Sequence, residues 1–164
     1  MLRAINKDIK PLSKSKRLFY LFFMTSIKKK RSDCPVSISL DVLGDKWSLL
    51  IVRDLMYKKK CTYGDFLKSA EGIATNVLAS KLQNLEEQKI ILKEPHPDSK
   101  AKIQYTLTTK GIELLPAMIE ISLWAEKYYE ISKDWIAVLS KVKMDKDGFL
   151  TKTAADIRSG KVEC

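Results

Sequence analysis

The sequence predicts a mainly α-helical fold with one small β-hairpin, and three stretches carry that prediction. The first runs from Cys34-Pro35 to Met56: an apolar helix, a Gly44-Asp45 break, and a second apolar helix opening on Trp47. The second runs from Gly72 to Glu86, where leucines recur at helical spacing. The third is Ile103-Gln-Tyr-Thr-Leu107 ahead of Thr108-Thr-Lys-Gly111, a strand leading into a capped helix. With 164 residues the chain is long enough for one domain with extensions, and its 45% hydrophobic residues can build a core of ordinary size.

Taken in order, residues 1–33 form a basic N-terminal extension. Ten Lys or Arg against Asp8 and Asp33 place +8 of the net charge of +10 there, leaving only +2 on the other 131 residues. The leader reads as a disordered or partly helical extension, as a non-specific phosphate contact, or as aromatic packing at a dimer interface. Its apolar run Leu18-Phe-Tyr-Leu-Phe-Phe-Met24 is too short to span a bilayer, and Ser26 to Arg31 offers no small-residue cleavage site. No membrane role is expected, and a reducing cytoplasm fits best. Met24 stands just before the patterned region, so a start there would omit the first 23 residues.

Pro35 suits the first turn of a helix reaching about Leu43 and stopping near Gly44. The next helix spans about Lys46 to Met56, with Lys58-Lys-Lys60 placed favourably against its negative end. Thr62 caps a short helix from Tyr63 to Ala70, Glu71-Gly72-Ile73 is a turn, and a fourth helix runs from about Ala74 to Gln88. Ile90–Leu92 and Ile103–Leu107 read as two strands joined by a turn-rich basic loop, His96 to Lys102. Thr108 or Thr109 caps a long helix to about Ile131. Residues 132–164 form a C-terminal extension with one short helix, Asp134 to Val142, and a polar tail. Helix, helix, short helix, turn, helix, hairpin, helix is the order of a winged helix-turn-helix.

On a helical wheel, Leu78, Leu82 and Leu85 form one stripe of the fourth helix, joined by Ala74. Asn76, Ser80, Gln83 and Glu87 lie opposite. Taken alone, that polar face suits solvent as well as it suits DNA. A helix-turn-helix, however, needs one side anchored and the other presenting short polar groups to base edges. Asn and Gln can pair two-fold with adenine, and Ser can donate or accept. Thr75, Asn76, Ser80 and Gln83 are therefore the expected base-facing residues, with Lys81 flanking towards phosphate. Lys100 and Lys102 at the hairpin tip can straddle the backbone, giving salt-dependent affinity without specificity.

In these residues the chain resembles the HxlR-type winged-helix transcriptional regulators, relatives of the MarR group. The resemblance covers residues 34–130 and rests on Cys34-Pro35, Leu43-Gly-Asp-Lys-Trp47, Leu49-Leu-Ile51, Phe66, Gly72-Ile73, Leu78-Ala-Ser-Lys-Leu82, Leu85-Glu86, Tyr105-Thr-Leu-Thr108, Gly111 and Leu114-Leu-Pro116. It implies a DNA-binding and dimerisation domain at 34–131. It also implies a homodimer built through helices near both ends, and two recognition helices meeting half-sites about 34 Å apart on double-stranded DNA. Lys102 stands where the family often has Arg, and Asn76 and Gln83 stand where basic residues are common, which points to a different operator. The remaining alternative is a winged helix serving as a protein-interaction module without specific DNA binding, which the near-neutral charge outside the leader favours.

Cys34, Cys61 and Cys164 are odd in number and far apart, and His96 is the only histidine. That excludes a zinc site of ordinary spacing and a disulfide framework. With no acid–base pairing and no phosphate-cradling glycine loop, no enzyme activity and no cofactor is expected. Cys34 sits at or next to a helix N-terminus, where partial positive charge favours the thiolate, as would Lys30 and Arg31 folded close to it, while Asp33 works against it. The resemblance implies an oxidant or electrophile sensor at that position; the alternative is a structural cysteine packing the first helix. Cys61 reads as a small apolar residue, His96 as a solvated loop residue, and Trp47, Trp124 and Trp135 as core or dimer packing.

Overall fold

The computed structural model describes residues 31–57, 61–97 and 99–160, with Lys100 described by its backbone alone. The leader up to Lys30, with its aromatic run, the Lys58-Lys-Lys60 run and Cys164 lie outside the described residues. The chain divides into two compact units, 1–38 and 39–164. In the first unit the Cys34 N–H donates to Ser32 Oγ at 3.2 Å, and the Cys34 carbonyl accepts from Ile38 N–H at 3.0 Å. Helix α1 (Pro35–Leu43) thus begins on a proline whose missing N–H costs nothing there.

In the second unit α1 ends where Gly44 N–H meets the Leu40 carbonyl at 2.9 Å. A Cβ on Gly44 would lie 2.3 Å from that oxygen, so no larger residue fits without a shift. Helix α2 (Ser48–Tyr57) follows and buries Ile51, Val52, Leu55 and Met56. Its start is capped by Asp45, whose carboxylate accepts from the N–H groups of Trp47 (2.8 Å) and Ser48 (3.0 Å) and from Ser48 Oγ (2.6 Å). Helix α3 (Tyr63–Leu67) opens on a reciprocal capping box between Thr62 and Asp65. It ends three residues before the predicted Ala70. Gly72, at φ +67°, makes the turn, and Ile73 is buried beyond it.

Helix α4 (Thr75–Glu87) buries Leu78, Leu82 and Leu85 as the wheel predicts. Ala74 does not join them: it is the exposed residue before the first turn, ahead of the helical periodicity. The antiparallel strands β1 (Ile91–His96) and β2 (Ser99–Leu107) are longer than predicted. They pair from Ile91 with Leu107 to Pro95 with Ile103, and then His96 with Ser99. One step along β1 therefore spans four along β2, and Lys100, Ala101 and Lys102 form a bulge in a strand where a loop is predicted. His96 is half-buried at the end of β1, not in an open loop. Cys61 is 1% exposed, the small apolar residue expected. Its carbonyl accepts from Tyr105 N–H at 2.7 Å while Thr62 bridges Gln104, adding a third rung beside the hairpin.

The predicted helix from Thr109 to Ile131 is broken into α5 (Thr109–Ile112) and α6 (Leu115–Tyr128). Pro116 causes the break, because it has no N–H to offer the Ile112 carbonyl one turn back. A Cβ on Gly111 would stand 2.3 Å from the Ile90 carbonyl, which is how closely α5 packs on the strand start. The predicted polar tail is in fact helical. Helix α7 (Lys133–Met144) is followed at once by α8 (Lys146–Arg158), with Asp145 accepting from Gly148 N–H at 2.9 Å. Leu139 and Val142 of α7 are buried in the core with Val52, Leu78, Leu85, Ile91 and Ile119, and Phe149, Leu150 and Ile157 of α8 pack against it. Tyr57 sits edge-on to Trp135 at 5.5 Å. Its hydroxyl is buried with no hydrogen-bond partner among the described residues, and burial pushes its ionisation upward. Among the described residues no helix is long and apolar enough to cross a membrane.

Candidate nucleic-acid interface

The outward face of α4 carries Asn76, Ser80 and Gln83, all exposed and opposite the buried leucine stripe, while Thr75 is exposed as the first residue of the helix. Its N-terminal turn is held by Tyr63, whose hydroxyl donates to the Thr75 carbonyl at 2.7 Å. Asn76 Oδ1 accepts from Val77 N–H at 2.9 Å, which leaves its second lone pair and its –NH2 for an outside partner. Gln83 Nε2 donates to Glu87 Oε1 at 2.9 Å, one turn along the same face. These contacts preset side-chain directions without covering the polar ends.

The turn before α4 is braced from below. Arg53 Nε and Nη2 reach Asp54 Oδ1 (2.9 and 2.6 Å), and its Nη1 reaches Glu71 Oε1 at 2.6 Å. Ser69 Oγ donates to the other Asp54 oxygen at 2.6 Å. Burial works against the Arg53 charge, but the bonds to Glu71 and Asp54 outweigh it and raise its pKa. The network ties α2 to Ser69 and Glu71 in the turn between α3 and α4, so the lead-in to α4 is fixed to the core through polar contacts as well as leucines.

Lys81, the only cation in α4, is half-buried and ion-paired with Asp45 Oδ2 at 3.1 Å. Burial of Asp45 opposes its ionisation. Hydrogen bonds from Ser48, Trp47 and Lys81 more than compensate and hold its carboxyl below the ordinary value. Sequence reasoning placed Lys81 on the flank but missed Asp45, Arg53, Tyr63 and Glu71. Asp45 carried a readable signal as a capping residue just before a helix. Its partner, 36 residues on, did not announce itself.

Lys102 is exposed in the β2 bulge, and the Lys100 backbone lies in the same bulge. The bulge stands at the far end of the hairpin from Leu107, so Lys102 projects away from the core. Cys34, in the other unit, is exposed. A short helix, a tight turn and a second helix with an exposed polar face, followed by a hairpin, define the winged helix-turn-helix class of transcription factors.

Residues 42–133, more than half of the chain, match the HxlR-like helix-turn-helix family, and the chain belongs to that family. It is 32% identical over 114 residues to YdeP of Bacillus subtilis, an uncharacterized HTH-type transcriptional regulator, covering 70% of this chain and 85% of the relative. The crystal structure of PA1607, a candidate transcription factor, superposes with a TM-score of 0.57 at 40% identity, over 63% of this chain and 71% of the other. The redox regulator HypR in its oxidized form superposes with a TM-score of 0.53 at 28% identity, over 60% of this chain and the whole of HypR.

Proposed function

We propose that this protein is a sequence-specific, homodimeric DNA-binding regulator of transcription. The observation that carries the reading is the braced α4, which presents Asn76, Ser80 and Gln83 outward, opposite a buried leucine stripe, with Thr75 exposed as its first residue. In this reading α4 enters the major groove, and Asn76 and Gln83 read base edges. Lys81 flanks the groove with its ammonium held by Asp45, and Lys100 and Lys102 meet the backbone beside the groove. Residues 34–131 supply DNA binding and dimerisation, with 1–33 and 132–164 as extensions. The dimer covers the apolar face of α6, where Trp124 (57% exposed), Tyr128, Tyr129 and Ile121 lie open, and the exposed Leu40 of α1. Cys34, exposed at the head of α1, is the sensor: its thiolate forms an adduct with an electrophile, or the two Cys34 thiols of the dimer join in an intersubunit disulfide while an oxidant such as diamide takes up the two electrons and two protons. The likeness to HypR supports that part of the reading.

The test is a fluorescence-anisotropy titration of reduced protein against fragments tiling the DNA upstream of its own gene. One fragment bound at least ~10³-fold tighter than scrambled duplex supports the reading. With that fragment, Asn76→Ala should relax preference at one base position per half-site, whereas Lys102→Ala should weaken every sequence alike. An equal loss on all base variants for Asn76→Ala removes it from direct readout. Uniform, salt-sensitive binding to every fragment would instead favour a protein-interaction module, the alternative suggested by the +2 charge outside the leader.

A further inference from the structure

We infer that Asp45 is an electrostatic brake on DNA binding, holding back Lys81, the single cation of the recognition helix. This rests on the DNA-binding reading above and adds a residue that reading does not use. Helix α4 carries Lys81 against Glu86 and Glu87, so it brings a net negative charge to a polyanion. Its one positive group is paired at 3.1 Å, with the lysine and aspartate side chains 27% and 28% exposed. The carboxylate is not free to swing away. One of its oxygens takes the Trp47 and Ser48 amides, and the other takes Ser48 Oγ together with the Lys81 ammonium. Asp45 is therefore fixed to the first turn of α2, and a phosphate that recruits Lys81 must compete with a stationary, partly desolvated anion.

The consequence falls on discrimination. A phosphate contact by Lys81 would strengthen binding to every sequence equally. With Lys81 partly neutralised, the sequence-independent share of affinity stays small, and the base-facing Asn76 and Gln83 decide where the protein stays. Asp45 acts through Lys81 and touches no base, so it is a positioning residue.

The experiment titrates wild type, Asp45→Asn, Lys81→Ala and the double variant against operator and scrambled duplexes over a range of salt concentrations. Asparagine caps helices about as well as aspartate, so α2 keeps its start while the charge is lost. Asp45→Ser, another good cap, serves if the first variant fails to fold by circular dichroism. Asp45→Asn should tighten binding to both duplexes by about two- to fivefold, the range a partly exposed ion pair can hold back. Its plot of log affinity against log salt should steepen by roughly 0.9 per protomer, one added phosphate contact. In the Lys81→Ala background the same substitution should change neither quantity. Unchanged or weaker binding by Asp45→Asn, or an effect that survives without Lys81, would overturn the brake. A wild type that does not distinguish operator from scrambled duplex would instead remove the DNA-binding reading beneath it.

Discussion

Cys34 and Cys61 separate two ways a thiol can be placed. Cys61 is 1% exposed and fixed where its carbonyl meets Tyr105, so it packs as a small apolar side chain. Cys34 is exposed at the start of α1, where a reagent can reach its sulfur. Brief treatment with N-ethylmaleimide should therefore label Cys34 well before Cys61, read by peptide mass spectrometry. Cys34→Ser should leave reduced DNA affinity unchanged and abolish release by diamide; release that persists in the serine variant moves the sensor elsewhere. At this scale the sequence disclosed what periodicity controls. The exposure of Asn76, Ser80 and Gln83 followed from the angle between them and Leu78, Leu82 and Leu85. The pairs Lys81 with Asp45 and Arg53 with Glu71 did not, because their partners lie 18 to 36 residues apart and only the folded turn brings them together.

Helix α3 is too short to be stable by itself, so its start must be supplied by side chains. Thr62 and Asp65 do this reciprocally. Thr62 Oγ1 accepts from Asp65 N–H at 3.3 Å, and Asp65 Oδ2 accepts from Thr62 N–H at 3.2 Å and from Thr62 Oγ1 at 2.5 Å. Burial opposes ionisation of Asp65, but the bonds from Thr62, the charge of Lys68 and the Cys61 amide hold its carboxyl below the ordinary carboxylate range. A carboxyl depressed on folding stabilises fully above its unfolded pKa. That contribution is lost as pH falls through the lower folded value. The urea midpoint should thus fall below about pH 4. Asp65→Asn should lower stability at pH 7 by about 1 kcal/mol and make that acid decline shallower. A decline as steep as wild type would show that the acid sensitivity lies elsewhere, Asp45 being the next carboxylate held down. Element order was legible because caps and apolar periods are local signals. Element ends were less so: the α5–α6 break needed the register of Pro116, and the β2 bulge hid inside a run that reads as loop.

For the whole molecule, the helices after residue 132 decide how the core closes. Their periodicity is weak in the sequence because α8 buries no residue fully and presents Phe149, Leu150 and Ile157 only as partial cover. Leu139 and Val142 of α7, by contrast, are 0% and 1% exposed and belong to the same core as Val52 and Ile119. Ion pairs from Lys143 to Glu126 (2.6 Å) and from Lys146 to Glu120 hold the C-terminal pair of helices on α6. They are exposed at the lysine end and add little energy. Packing is therefore the main term. Leu139→Ala should cost about 2–5 kcal/mol, a large part of a typical domain's 5–15 kcal/mol. Trp124 lies 57% open on the other face of α6, so Trp124→Ala should change the fold's own stability by under about 1 kcal/mol. If that open face is the dimer surface, Trp124→Ala should instead raise the dimer dissociation constant, because truncating a buried interface aromatic typically costs about 2 kcal/mol or more. Urea unfolding at two protein concentrations, with sedimentation velocity beside it, separates the two effects. Stability that depends on concentration in wild type and not in Trp124→Ala places the interface on α6. A wild type that sediments as a monomer at every concentration removes the dimer, and a Trp124→Ala dimer of unchanged strength moves the interface to another face.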